Sequence, residues 1–175
     1  MAHSVELLFD SDAEDAIRRQ WAALVDAGLP SQANHRSPTN RPHVTLTVAE
    51  RIDAGVDVAL RAPAALLPMA CRIGAPVVFG RKTLVLARLI VPDAGLLRVQ
   101  ESVDAICGPH MPSGPFPHAR PGQWTPHVTL ARRLAPADLA AALDAVCSDA
   151  ADGTAGTFAG LRRWDGDARV DTLIT

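Results

Sequence analysis

A chain of 175 residues that is 48% hydrophobic and 21% charged is long enough for a self-sufficient core, because a domain of that size buries roughly 70% of its unfolded surface. A net charge of −2 and a single lysine, Lys82, exclude the strongly basic surface that holds long nucleic acid without sequence preference. No apolar run reaches the ~20 residues of a membrane helix, and Met1-Ala2-His3-Ser4 offers neither a basic start nor an apolar signal core, so a cytoplasmic protein is expected.

Residues 5–9 alternate as a strand and end at Asp10-Ser11-Asp12, a helix-capping sequence. Over 13–27 the apolar positions Ile17, Trp21, Leu24 and Val25 recur at helical spacing until Gly28 and Pro30. Residues 31–42 are polar and read as a loop. Residues 43–48 alternate with β-branched side chains and read as a strand. A helix over 56–67 is expected to be broken by Pro63. Strands over 73–79 and 83–91 meet at Gly80-Arg81-Lys82 as a hairpin. A helix covers 94–106. Five prolines over 108–122 exclude regular structure, and a loop of that length suggests a flap or site wall. A strand over 127–130, a helix over 136–147 opening on Pro136, and strands over 158–161 and 168–174 complete the chain. This order lacks a regular βαβ alternation and predicts an α+β fold.

The cysteines, Cys71, Cys107 and Cys147, are scattered and odd in number, which fits neither a disulfide framework nor a zinc pattern. They read as small apolar residues. His35, His110 and His118 fall in loops without acidic partners at metal-ligand spacing, and His3 reads as a mobile terminal residue. The acidic stretch 10–15 suits the positive end of the first helix. Neither a phosphate-binding P-loop nor a serine nucleophile elbow is present.

One pentapeptide occurs twice, as Pro42-His43-Val44-Thr45-Leu46 and as Pro126-His127-Val128-Thr129-Leu130. Each copy opens a strand and is followed by a helix, which suggests duplicated halves. Side chains on a strand alternate faces, so His43 and Thr45 point one way while Val44 and Leu46 point the other. The second copy repeats this with His127 and Thr129. Two such strands about a pseudo-twofold axis would bring two imidazoles and two hydroxyls to one cleft. Histidine's ordinary pKa near 6.5 lets one ring take a proton while the other gives one, and threonine hydroxyls can donate to phosphate oxygens.

These duplicated His-x-Thr-x motifs resemble those of the two-histidine (2H) phosphoesterase superfamily, which includes bacterial proteins named for RNA 2′,5′-ligase and cyclic phosphodiesterase activity. The resemblance extends over most of the chain. It implies one bilobal α+β domain over residues 1–175, with the first motif at 43–46 and the second at 127–130. Its pseudo-symmetric antiparallel sheets would be flanked by helices about a central cleft. It implies metal- and cofactor-independent phosphodiesterase action on 2′,3′-cyclic phosphates or 2′,5′-linked nucleotides and RNA ends. His43 and His127 would be catalytic, with Thr45 and Thr129 holding the phosphate. Some relatives place a phosphate-contacting arginine at the position of Arg132, whereas strict alternation from His127 puts Arg133 on the cleft face; a bulge would favour Arg132. The chain has no tyrosine and 4% aromatics, so base stacking would fall to Phe9, Phe79, Phe116 or Trp124.

Two other readings compete. A non-catalytic module could bind nucleotides or RNA ends in the same cleft, and a zinc hydrolase could use the histidines as ligands. Retention of both imidazoles argues against mere binding. A nucleotide or RNA end is the expected partner and a membrane is not; the oligomeric state is left open, with a monomer as the default.

Overall fold

The computed structural model describes residues 1–147 and 154–175. The chain runs β1 (His3–Phe9), α1 (Ser11–Asp26), β2 (His43–Ala49), α2 (Asp57–Ala64), β3 (Met69–Gly80), β4 (Leu84–Ile90), α3 (Ala94–Cys107), β5 (His127–Leu134), α4 (Leu139–Cys147), β6 (Thr154–Asp165) and β7 (Val170–Ile174). Two βαβαβ halves are therefore repeated, β1 to β3 and β4 to β6. Each half gives its third strand to the other: β6 pairs with β1, and β3 pairs with β4 as well as with β6. All pairings are antiparallel, and they join the halves into one seven-stranded sheet ordered β2-β1-β6-β3-β4-β5, with β7 beside β6. The two end strands, β2 and β5, nevertheless contact each other. Those are the strands that carry the repeated motifs.

Local chemistry accounts for the helices. Asp10 caps α1, its carboxylate accepting from Ala13 N at 2.9 Å, and Asp12 and Glu14 lie at the positive end of the helix. Gly28 takes φ +72° just beyond it, the left-handed backbone that commonly terminates a helix. Asp93 caps α3 in the same way through Leu96 N at 2.8 Å. Ile17, Trp21 and Leu24 on α1 are buried, and each such side chain contributes about 1.5–3 kcal/mol. They join Val5, Leu7 and Phe9 of β1 and Val103 of α3 in a single core.

Several elements differ from the sequence reading. Pro63 does not break α2 but sits inside its final turn, where its missing N–H forfeits one bond to the Ala59 carbonyl and the helix ends one residue later. β3 starts at Met69 and β6 spans twelve residues, both longer than expected. β6 carries Arg162 and Arg163, buried through pairs with Glu6 and Asp57, so its charge pattern masks a strand. His3 is not a mobile terminal residue. It lies in β1, is 4% exposed, and places Nε2 3.2 Å from Asp167 and 3.4 Å from Asp165.

Both motif strands carry a bulge at the same place. On β1 Val5 pairs with Thr47 and Glu6 with Thr45, which leaves Leu46 as an extra residue. On β4 Leu86 pairs with Ala131 and Ala87 with Thr129, which leaves Leu130 extra. A bulge of one residue reverses the alternation of every side chain that follows.

Candidate active site

His43 and Thr45 from β2, and His127 and Thr129 from β5, line a single cavity of about 820 Å³. Their intervening neighbours Val44, Leu46, Val128 and Leu130 are buried in the core. Because of the paired bulges, the next cavity-facing residues are Val48 on one strand and Arg132 on the other. Arg133, the residue favoured by strict alternation, is not part of the cavity wall; it takes φ +59°, next to a second register shift between Leu84 and Leu86.

The two imidazoles are held alike. Nδ1 of His43 lies 2.8 Å from the Arg41 carbonyl and Nδ1 of His127 lies 2.7 Å from the Thr125 carbonyl, in each case two residues upstream. A carbonyl only accepts, so Nδ1 donates in both rings and Nε2 is left for proton exchange. The motif backbones are braced by indoles. Trp124 Nε1 donates to Thr45 O at 2.8 Å and Trp21 Nε1 donates to Thr129 O at 3.0 Å.

The charges around the two rings differ. Glu6 faces Thr45 across β1 and β2, whereas the matching position opposite Thr129 is Ala87. Glu6 Oε1 lies 3.6 Å from His43 Nε2. The carboxylate also accepts from Ser4 Oγ at 2.6 Å and Arg162 Nε at 2.8 Å. Burial pushes the Glu6 carboxyl up, but the charges of His43 and Arg162 and the hydrogen bonds from Ser4 and Arg162 outweigh it and hold it below its ordinary value. His127 is pushed the other way from a charged state. Burial lowers it most, the Thr125 carbonyl opposes this, and the positive charges of Arg132, His43 and His118 lower it further. The Phe79 ring, with its centroid 4.7 Å away, packs against it.

The rest of the wall divides by polarity. The 31–42 segment supplies Gln32, His35, Ser37, Thr39 and Asn40. The proline-containing segment before β5 supplies Phe116 and His118 and thus forms one side of the site. Of the aromatic candidates, Phe79, Phe116 and Trp124 line the cavity, while Phe9 is buried in the core against Phe158 with centroids 5.0 Å apart. His110 lies outside the wall. Sequence reasoning missed Ser4, Glu6, Arg162 and Trp164, all of which line the cavity. The signal for the first two was present in the alternation Ser4-Val5-Glu6-Leu7, which puts both polar residues on the face opposite the core. Nothing comparable marks Arg162 or Trp164.

Among the described residues, the group of three side chains spaced to share one ion is His3, Asp165 and Asp167. The two motif histidines do not belong to it. No helix among the described residues is long and apolar enough to cross a membrane.

The sequence matches the 2′-5′ RNA ligase superfamily over residues 13–167. The chain belongs to this superfamily, the two-histidine phosphoesterases. No curated protein matches it. Solved structures with the same fold include Kluyveromyces marxianus Usb1 with uridine monophosphate, at 14% identity and TM-score 0.57, covering 99% of this chain and 97% of that one. Escherichia coli LigT without ligand matches at 12% identity and TM-score 0.58, over 99% and 94% of the two chains; LigT complexed with 3′-AMP also matches. TT0787 of Thermus thermophilus matches at 18% identity and TM-score 0.55, over 100% and 96%. Membership supports an enzyme with phosphodiesterase-type activity on nucleotides or RNA.

Proposed function

We propose that the protein is a metal-independent phosphodiesterase that opens 2′,3′-cyclic phosphates or cleaves 2′,5′-linked nucleotides and RNA ends. The observation that supports this best is the pair of imidazoles facing one cavity, both held through Nδ1 by a backbone carbonyl and differing in their neighbouring charges. His127, lowered toward its neutral form, is suited to be the base. His43, with the Glu6 carboxylate beside it, is suited to be the acid.

On a 2′,3′-cyclic phosphate, Nε2 of His127 takes a proton from water while the water oxygen bonds to phosphorus. One ribose oxygen leaves phosphorus and receives a proton from Nε2 of His43. The product is a phosphomonoester with a freed ribose hydroxyl, and solvent returns the proton from His127 to His43. Thr45 and Thr129 donate to the nonbridging oxygens, and Arg132 offsets the charge that builds on them. Positioned proton transfer is worth about 10²–10⁴ in rate. The cavity exceeds the space one phosphate needs, which suits an attached nucleoside, as do the nucleotides bound to LigT and Usb1. On this proposal, residues 1–175 make up one bilobal domain. Three free cysteines fit a reducing cytoplasm.

Turnover of a 2′,3′-cyclic nucleotide panel in the presence of chelator tests the proposal, with His43→Ala and His127→Ala as controls. Turnover that requires both histidines and survives chelation is expected. Activity that persists in both variants would sink it, and tight calorimetric binding without turnover would instead favour a nucleotide-binding module.

A further inference from the structure

Pseudo-symmetry predicts equivalent surroundings for the two rings, and the clearest departure from it is Glu6. A buried carboxylate is costly unless it is paired and hydrogen-bonded, and Glu6 is 4% exposed. Arg162, itself 3% exposed, supplies one partner through Nε and spends Nη1 on the Thr39 carbonyl and Asp171, each at 2.9 Å. Ser4 supplies a second. Oε1, the oxygen that accepts from Ser4, also has a second neighbour. It lies 3.6 Å from Nε2 of His43, the nitrogen left free by the Arg41 carbonyl. Across the cavity, Ala87 stands at the matching position and Arg132 lies near His127.

We propose that Glu6, held by Ser4 and Arg162, is a positioning residue that keeps the His43 ring oriented for proton delivery to the leaving oxygen, and so sets the direction in which the two histidines work. This rests on the acid–base reading above. A carboxylate on one side of the cavity and a guanidinium on the other give two rings from identical motifs opposite duties. Among the described residues, the Glu6 carboxylate, with Arg162 behind it, and the titratable ring of His127 on the facing strand both interact electrostatically with His43. Glu6 takes no proton from substrate and touches no reacting atom; it acts through His43.

Glu6→Gln is the informative variant, because its amide oxygen can still accept from Arg162 and its NH2 can donate to the Ser4 hydroxyl, while the charge is lost. Glu6→Asp retains the charge on a shorter arm. Two substrates separate a role in proton delivery from a role in folding. A 2′,3′-cyclic nucleotide expels a ribose oxygen that needs a proton, whereas bis(4-nitrophenyl) phosphate expels a phenolate that does not. We expect Glu6→Gln to lower kcat on the cyclic nucleotide by about 10²-fold with KM little changed, to lose far less on the nitrophenyl ester, and to be partly rescued by Glu6→Asp. Equal losses on both substrates, or no loss on the cyclic nucleotide, would overturn the proposal.

A measurement without turnover keeps this separate from the proposed function. Ring signals of His43, followed by NMR, should shift in Glu6→Gln relative to the unaltered protein, and by more than those of His127. Unmoved His43 signals overturn the role of Glu6 whether or not the protein is active. Moved signals in a protein that turns over neither substrate uphold the coupling and overturn the enzymatic reading.

Discussion

Trp124 reaches from the segment before the second motif and donates its indole N–H to the backbone carbonyl of Thr45, in the first motif, at 2.8 Å. Trp21 on α1 does the same for Thr129 at 3.0 Å. Each indole thus supports the backbone of a residue whose hydroxyl faces the cavity. Trp124→Phe keeps the ring but leaves the Thr45 carbonyl without that donor, at a cost of about 1–3 kcal/mol. For a protein of this size, thermal unfolding should fall by about 2–4 °C per kcal/mol lost. Turnover should fall as well, because the strand that aims His43 is loosened. A melting curve and kcat on one substrate check both, and a variant as stable and active as the parent would show that the brace does nothing.

The lowered titration of His127 carries a pH prediction with a definite sign. A base works when neutral, so the rate rises as pH climbs through its titration, and burial has moved that point below the ordinary histidine value. The acid-side limb of a kcat/KM profile should therefore lie below about pH 6.5. The same shift bears on stability. In the window between the folded and unfolded values the unfolded chain binds more protons, so the contribution is full above the unfolded value and is lost as pH falls through the folded one. Replacing His127 with Gln should abolish the acid limb and flatten this part of the stability profile, as read by rate and melting temperature from about pH 4.5 to 8.

Arg132 and Arg133 provide a sharp contrast between adjacent residues. The Leu130 bulge aims the first at the cavity, whereas the second stays outside. Arg132→Ala should lower kcat/KM by at least ~10-fold, since hydrogen bonds to a charged group contribute about 1.5–3 kcal/mol. Arg133→Ala should stay near the parent, because it removes an exposed side chain and leaves the left-handed backbone as it was. Steady-state kinetics on one cyclic nucleotide suffice. Reversed effects would mean that the strand binds substrate with the unbulged alternation.

These residues also show what could be read before the fold was known. The repeated pentapeptide identified all four motif side chains, because a strand's period of two makes His43 and Thr45 neighbours in space from spacing alone. The choice of Arg132 was not decided that way, since a bulge depends on which residue of β4 opposes Leu130 and no local pattern reports it. Glu6 and Arg162 were hidden for a different reason. Each reads as an exposed charge in its own segment, and only their meeting across 156 positions makes burial tolerable. His3 was misjudged on the same grounds, its partners Asp165 and Asp167 lying at the far end of the chain.

If the two rings form one proton-relay pair, their losses should not add. Removing His127 leaves the attacking water unactivated, after which the proton held by His43 has no reaction to complete. Removing His43 strands the leaving oxygen, whatever His127 has done. Each single alanine variant should lose about 10²–10⁴ in kcat, and the double variant should fall little further than the worse single, as for catalytic groups that act as a unit. Independent roles, one in binding and one in chemistry, would instead multiply: losses of about 10³-fold and 10²-fold would become about 10⁵-fold. The cycle also separates phosphate binding from proton transfer, because a ring that only binds raises KM with kcat preserved. A fully multiplicative double variant would therefore overturn the shared mechanism even if both histidines proved essential.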